Sequence, residues 1–141
     1  MKVVLDTNVI VAAFAARGLC AAVFQLCLTK YRIVLSEYIL SEVAEGLANK
    51  IRLPHVTVQE IIQFLREHAQ MVKSEAIEES ISEDEQDLPI IGTALTGNAH
   101  FLITRDKDLL SLQRYKHIEI LSPRQCWERV KEGRYGKGGI R

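Results

Sequence analysis

The sequence predicts an α/β fold, a three-layer α/β/α sandwich around a central, mostly parallel sheet. Short apolar runs rich in Val, Ile and Leu alternate with longer stretches of helical periodicity along the whole chain. That is the pattern of strands joined by crossover helices. No internal repeat, domain linker or low-complexity segment before the C-terminal tail interrupts the alternation. Acidic residues follow several of the apolar runs, and open α/β sheets bind their ligands outside the carboxyl ends of the strands.

The first strand is the run Val3-Val4-Leu5, ended by Asp6-Thr7-Asn8. Residues 9–15 read as a short helix that breaks at Arg17-Gly18. A second helix follows at 19–29, with Val23, Leu26 and Cys27 on its core stripe. Residues 32–35 form a second strand. Ser36 is a natural N-cap for a third helix running to about Asn49, whose stripe is Ile39, Leu40, Val43 and Leu47. At about 100° per residue Glu42 borders that stripe and Glu45 points away from it. Pro54 separates a fourth helix, capped by Thr57 and carrying Ile61, Ile62 and Leu65. Residues 69–73 suggest a short strand.

An acidic stretch then leads into a helix opened by Asp87-Leu88-Pro89 and closed by Gly97-Asn98. Asp87 lies three and four residues before Ile90 and Ile91, so it prolongs the buried stripe. Residues 101–104 form a strand that turns at Arg105-Asp106 into a short helix, and 118–121 form the last strand. Ser122-Pro123 starts a final helix with Cys126, Trp127 and Val130 inward. The expected organisation is one domain over 1–132 and a flexible basic tail over 133–141.

With 141 residues, 48% hydrophobic and 26% charged, the chain has the composition of a soluble globular domain with a real core. The formal net charge is zero, so any nucleic-acid contact must come from local patches. Seven acidic and no basic residues lie between Glu75 and Asp87, and the charged residues of the last nineteen are mostly basic. Three cysteines without CxxC spacing point to free thiols in a reducing cytosol and away from zinc. Cys20 and Cys27 read as small core residues. Lys2 and the apolar residues behind it loosely mimic a signal peptide, but Asp6, Asn8 and Arg17 interrupt them. The longest clean apolar run, 9–16, falls far short of the roughly 20 residues of a spanning helix.

Asp6 and Asp106 each follow an apolar strand and precede a helix, so a parallel sheet brings both to one edge. Asp87 at a helix start and Glu42 on the third helix reach the same edge. Any one of them alone reads as an N-cap or a surface residue; their coincidence is what points to a site. Two carboxylates about 4 Å apart repel by about 4 kcal/mol at an effective dielectric near 20. One ordinary hydrogen bond returns only about 1 kcal/mol. Such a cluster takes up protons or a divalent cation, and all-oxygen ligands suit Mg²⁺ or Mn²⁺. A pair of such ions can activate water for phosphodiester cleavage. Thr7, Asn8, Ser36 and Thr104 flank the acids and can hold them or their waters in place. Asp108 is a cap or a reserve ligand, whereas Asp84 and Glu85 read as solvated. Arg105 and Lys107 are candidate phosphate contacts. The HExxH, Walker A, GxGxxG and GxSxG patterns are absent, and none of the four histidines pairs with a nucleophile.

The stretch from Val3 to Ile10 resembles the opening motif of PIN-domain ribonucleases. The stretch from Ser36 to Val43 is similar to the family's second motif, with its acid at Glu42. Asp87 to Ala94 resembles the third, and Leu102 to Leu109, with Asp106, the fourth. Ile120-Leu121-Ser122-Pro123 looks like the family's last strand and turn. The resemblance spans nearly the whole chain and is strongest to the VapC-type branch, the toxins of prokaryotic toxin–antitoxin pairs. It implies a Mg²⁺- or Mn²⁺-dependent endoribonuclease with catalytic, metal-ligating Asp6, Glu42, Asp87 and Asp106. It also implies a homodimer, inhibited by a small antitoxin protein that fills the acidic groove, and RNA as substrate in the cytoplasm with no membrane partner. The alternative is a catalytically silent PIN-like binding or scaffold protein that keeps the metal pocket. A receiver-like phosphoacceptor would need a second acid at the end of the first strand and a buried Lys after a late one, and the sequence has neither.

Overall fold

The structure is a computed structural model that describes residues 1–75 and 87–140, with side chains through 132. Asp84, Glu85 and most of the acidic stretch lie outside the described residues.

The elements, in chain order, are β1 (Lys2–Leu5), α1 (Thr7–Ala15), α2 (Leu19–Lys30), β2 (Arg32–Leu35), α3 (Glu37–Asn49), α4 (His55–His68) and β3 (Gln70–Met71). They continue with α5 (Asp87–Thr96), β4 (Phe101–Ile103), α6 (Lys107–Leu112), β5 (Arg114–Tyr115), β6 (Ile118–Leu121) and α7 (Pro123–Ile140). Among the described residues the strands form one six-stranded sheet in the order β3-β2-β1-β4-β6-β5. All its pairings are parallel except β5–β6.

This order explains the layers. The chain steps from β1 to β2 to β3 in one direction, then returns past β1 to β4 and continues to β6. Right-handed crossovers place helices of opposite travel on opposite faces. Accordingly α1 packs on α2 and α3, α3 on α4, and α2 on α7, while α5 lies across β1, β2 and β4 and α6 lies on β6. The central strands are covered on both sides, so their side chains are apolar without alternation. Val3, Val4, Leu5, Leu35 and Ile103 are all fully buried.

Most expected boundaries hold within a residue or two, and several readings need correction. α1 begins at Thr7, because Asp6 caps it. α4 begins at His55 behind Pro54, which has no side-chain cap, and Thr57 lies inside the first turn. β5, an antiparallel edge strand of two residues, was not expected. Trp127 is 37% exposed, because Cys126 takes the inward position on α7 and the next residue turns away by about 100°. In α2 it is Phe24, with Val23 and Cys27, that is buried, and Leu26 is only partly so. The backbone of α7 continues to Ile140.

Gly18 breaks the chain between α1 and α2. Its φ of 156° belongs to a region that side chains disfavour, and it lets the two helices meet at 109°. Among the described residues no single helix is long and apolar enough to cross a membrane.

Candidate metal centre

The sheet register builds the site. Leu5 pairs with Ile103, and Ile103 with Leu121. Val4 pairs with Val34, two residues before Ser36. The next residues, Asp6, Ser36, Thr104 and Ser122, therefore form a row along the carboxyl edge. Two bonds carry the ladder one step further: the Asp6 amide donates to the Ile103 carbonyl (2.9 Å) and the Thr104 amide to the Leu121 carbonyl (2.9 Å). The chain reverses direction between β1 and β4, and this switch point is where doubly wound sheets open a crevice. Asp6 and Asp106 stand on its two sides.

A cleft of about 710 Å³ opens there, and Asp6, Glu42, Asp87 and Asp106 all line it. Asp6 and Asp87 are only 6% and 5% exposed. Burying carboxylates this deeply is costly unless they are hydrogen-bonded or bound to a cation. Asp6 accepts the Thr7 amide on Oδ1 (2.7 Å) and the Thr104 hydroxyl on Oδ2 (2.7 Å). The Thr104 hydroxyl in turn accepts the Asp106 amide (3.0 Å). Thr104, fully buried, thus ties the two acids of the switch point together. Asp106 also caps α6 by accepting the Asp108 amide on Oδ1 (2.8 Å). Asp6 and Asp106 are N-caps and cleft residues at once.

Glu42 and Asp87 arrive on helices, and these helices are coupled. Ser36 caps α3 by accepting the Ile39 amide (3.4 Å), and its hydroxyl is hydrogen-bonded to that of Thr93 on α5 (2.8 Å). Ser36 thereby pins the helix carrying Asp87 to the start of the helix carrying Glu42. Thr7 lines the cleft, and its buried hydroxyl has no hydrogen-bond partner among the described residues. Asn8 lines the cleft and is exposed. Arg105 lines the cleft as well. Asp108 and Lys107 are exposed and outside its lining.

Sequence reasoning missed part of the wall. Tyr38, Glu45, Asn49 and Lys50 also line the cleft. Glu45 points away from the core, but into the cleft. Residues 38, 42, 45 and 49 follow the spacing of one helix face, which was the available signal.

The donors facing the cleft fit a hard divalent cation. They are carboxylates with neighbouring hydroxyls and amides, and among the described residues neither His nor Cys lines the cleft. The fit has one limit. Among the described residues, no three His, Cys, Asp or Glu side chains stand close enough together to hold an ion as placed. The four carboxylates share the cleft without closing into a ligand cluster.

Away from the cleft, Cys27 and Cys126 meet between α2 and α7. The thiol–thiol hydrogen bond and burial push Cys27 up, while Cys126 is drawn down by the same bond and by Arg129.

A family model for the PIN domain matches residues 2–108. Two solved structures share the fold. One is that of VapBC2 from Rickettsia felis bound to a DNA fragment from their promoter, with a TM-score of 0.61 and 16% identity over 86% of this chain and 98% of that one. The other is that of VapBC-1 from nontypeable Haemophilus influenzae, with a TM-score of 0.59 and 22% identity over 87% of this chain and 98% of that one. No curated protein matches the chain by sequence. The family match covers all four cleft carboxylates, and the chain belongs to the PIN-domain family.

Proposed function

We propose that the protein is a Mg²⁺- or Mn²⁺-dependent endoribonuclease that cleaves RNA phosphodiester bonds. We read it as the toxin of a toxin–antitoxin pair, dimeric, working in a reducing cytosol and restrained by a small antitoxin. The observation that carries this reading is the convergence of Asp6, Glu42, Asp87 and Asp106 on one cleft lined by oxygen donors. The solved structures of similar fold contain VapBC pairs, which supports an antitoxin partner.

A divalent ion, when bound, supplies Lewis-acid polarisation of the phosphodiester and lowers the pKa of water. The residues that would hold it are these four acids. Asp6 is the anchor, because its two oxygens are fixed by the Thr7 amide and the Thr104 hydroxyl. Asp106 keeps Oδ2 for a ligand, since its cap uses Oδ1. Glu42, half-buried, is carried by α3 and Asp87 by α5, and the Ser36–Thr93 bond links the two helices. Arg105 at the cleft wall offers a planar cation to a phosphate oxygen.

RNA cleavage in Mn²⁺ by the wild type, with activity lost in Asp6→Asn and Glu42→Gln, is the expected result. Equal residual cleavage in those variants would overturn the reading.

The open arrangement of the carboxylates supports a second reading, a PIN-like scaffold that binds a metal or partner without turnover. Calorimetric Mn²⁺ binding without cleavage of any RNA tested would favour it.

A further inference from the structure

Next to the acidic cleft lies a second groove, of about 420 Å³. Arg17, Arg105 and Arg124 line it, and among the described residues no carboxylate does. Ala12 and Arg105 belong to both linings, so the groove continues the cleft. One wall is the start of α2, where Gly18 offers no side-chain cap. An uncapped helix start adds partial positive charge and backbone donors. The other wall is the start of α7, closed by a capping box: Ser122 Oγ accepts the Gln125 amide (3.1 Å) and Gln125 Oε1 accepts the Ser122 amide (2.9 Å).

The arginines are available. All three are exposed. Arg124 approaches Glu128 at 4.0 Å, with side chains 72% and 56% exposed, an i,i+4 pair too solvated to hold it. Arg17 and Arg105 take part in none of the salt bridges among the described residues. Guanidinium groups bind phosphate oxygens in pairs, and a strand crossing an acidic cleft needs positive charge beside it within about a Debye length, near 10 Å.

We propose that the Arg17–Arg105–Arg124 groove holds the backbone phosphates of a single RNA strand on one side of the bond to be cut. This rests on the nuclease reading and adds a direction to it: the strand leaves the carboxylate cleft past Arg105 toward the starts of α2 and α7. The groove contacts phosphates and not base edges, so it contributes affinity and polarity with little sequence preference.

Cys20, half-buried, lines the groove, whereas Cys27 and Cys126 are buried. Cys20 is therefore a built-in reporter. The test uses a short single-stranded 2′-O-methyl oligoribonucleotide, which binds without being cut, and N-ethylmaleimide as alkylating agent. The expected result is that the oligonucleotide slows Cys20 alkylation. Arg17→Gln/Arg124→Gln should weaken binding and lower the salt slope of log K by about 0.7 for each phosphate no longer neutralised. Arg32→Gln, exposed at the opposite end of the sheet, should leave both unchanged. Unchanged affinity, slope and Cys20 protection in the double variant would overturn the groove and leave the nuclease reading standing. No oligonucleotide binding by the wild type would also overturn it, while Mn²⁺-dependent cleavage judges the nuclease reading separately. Protection of Cys20 by polyglutamate but not by the oligonucleotide would overturn it in favour of an acidic peptide.

Discussion

Thr104 Oγ1 lies 2.7 Å from Asp6 Oδ2, donates to it, and accepts the Asp106 amide at 3.0 Å. One buried hydroxyl thus fixes an oxygen of the first acid and the backbone of the last. Thr104→Val keeps the shape and removes the hydroxyl, leaving a carboxylate oxygen and an amide to find other partners. We expect a loss of about 1–3 kcal/mol in denaturant unfolding, and Mn²⁺ affinity about 10–100-fold weaker by calorimetry. Unaltered affinity would show that Thr104 does not orient the acids.

Metal binding should register as stability. Mn²⁺ at about a hundred times its Kd should add about 2.7 kcal/mol to the wild type. Asp6→Asn should lose that increment. In the absence of metal the same variant sets its own baseline, because Asn keeps an acceptor for the Thr7 amide but changes the group facing the Thr104 hydroxyl. Thermal melts with and without Mn²⁺ separate the two effects.

Glu119 on β6 receives two hydrogen bonds from Arg129 on α7, at 3.0 and 2.6 Å. These bonds, helped by the nearby charges of Arg129 and Arg114, hold its carboxyl below the usual range. A depressed folded pKa stabilises the fold above the unfolded pKa, near 4.3, and that contribution disappears as pH falls through the folded value. Arg129→Met should therefore shift acid unfolding to higher pH. The pair is partly exposed, so the cost at neutral pH should be about 1 kcal/mol or less. The two proteins should converge once Glu119 is protonated in both.

Gly92 sits in α5 where Ala would ordinarily gain about 1 kcal/mol of helix propensity. A β-carbon there would collide with the Glu75 carbonyl oxygen and lie 2.7 Å from Ser74 Oγ. A backbone carbonyl cannot swing aside as a side-chain tip can. Gly92→Ala should destabilise by about 1–3 kcal/mol, because overpacking outweighs propensity. A more stable variant in urea would contradict the close approach of this segment to α5.

The sheet was legible because its central strands are buried on both faces and so read as unbroken apolar runs. Leu5 and Leu35 close β1 and β2 as their runs suggest. Arg114-Tyr115 carries no such run; it becomes a strand only by pairing with β6. The acids of the site were legible as strand exits and as an extension of a helical stripe. Glu45 was misread because periodicity separates core from surface and does not distinguish open surface from the wall of a cleft. Thr93 was invisible for a different reason: it meets Ser36 across 57 residues of chain, and only the fold creates that pair.

The Asp6–Thr104 bond spans 98 residues of sequence. β1 is made well before its neighbour β4, which begins only at Phe101. Contacts of such separation form late, because the loop between them must first be closed. A nascent or truncated chain that ends before β4 carries Asp6 without the partners that orient it. Assembly of the cleft is thereby tied to the synthesis of β4 and α6, so products that stop before them should lack whatever activity the finished cleft has.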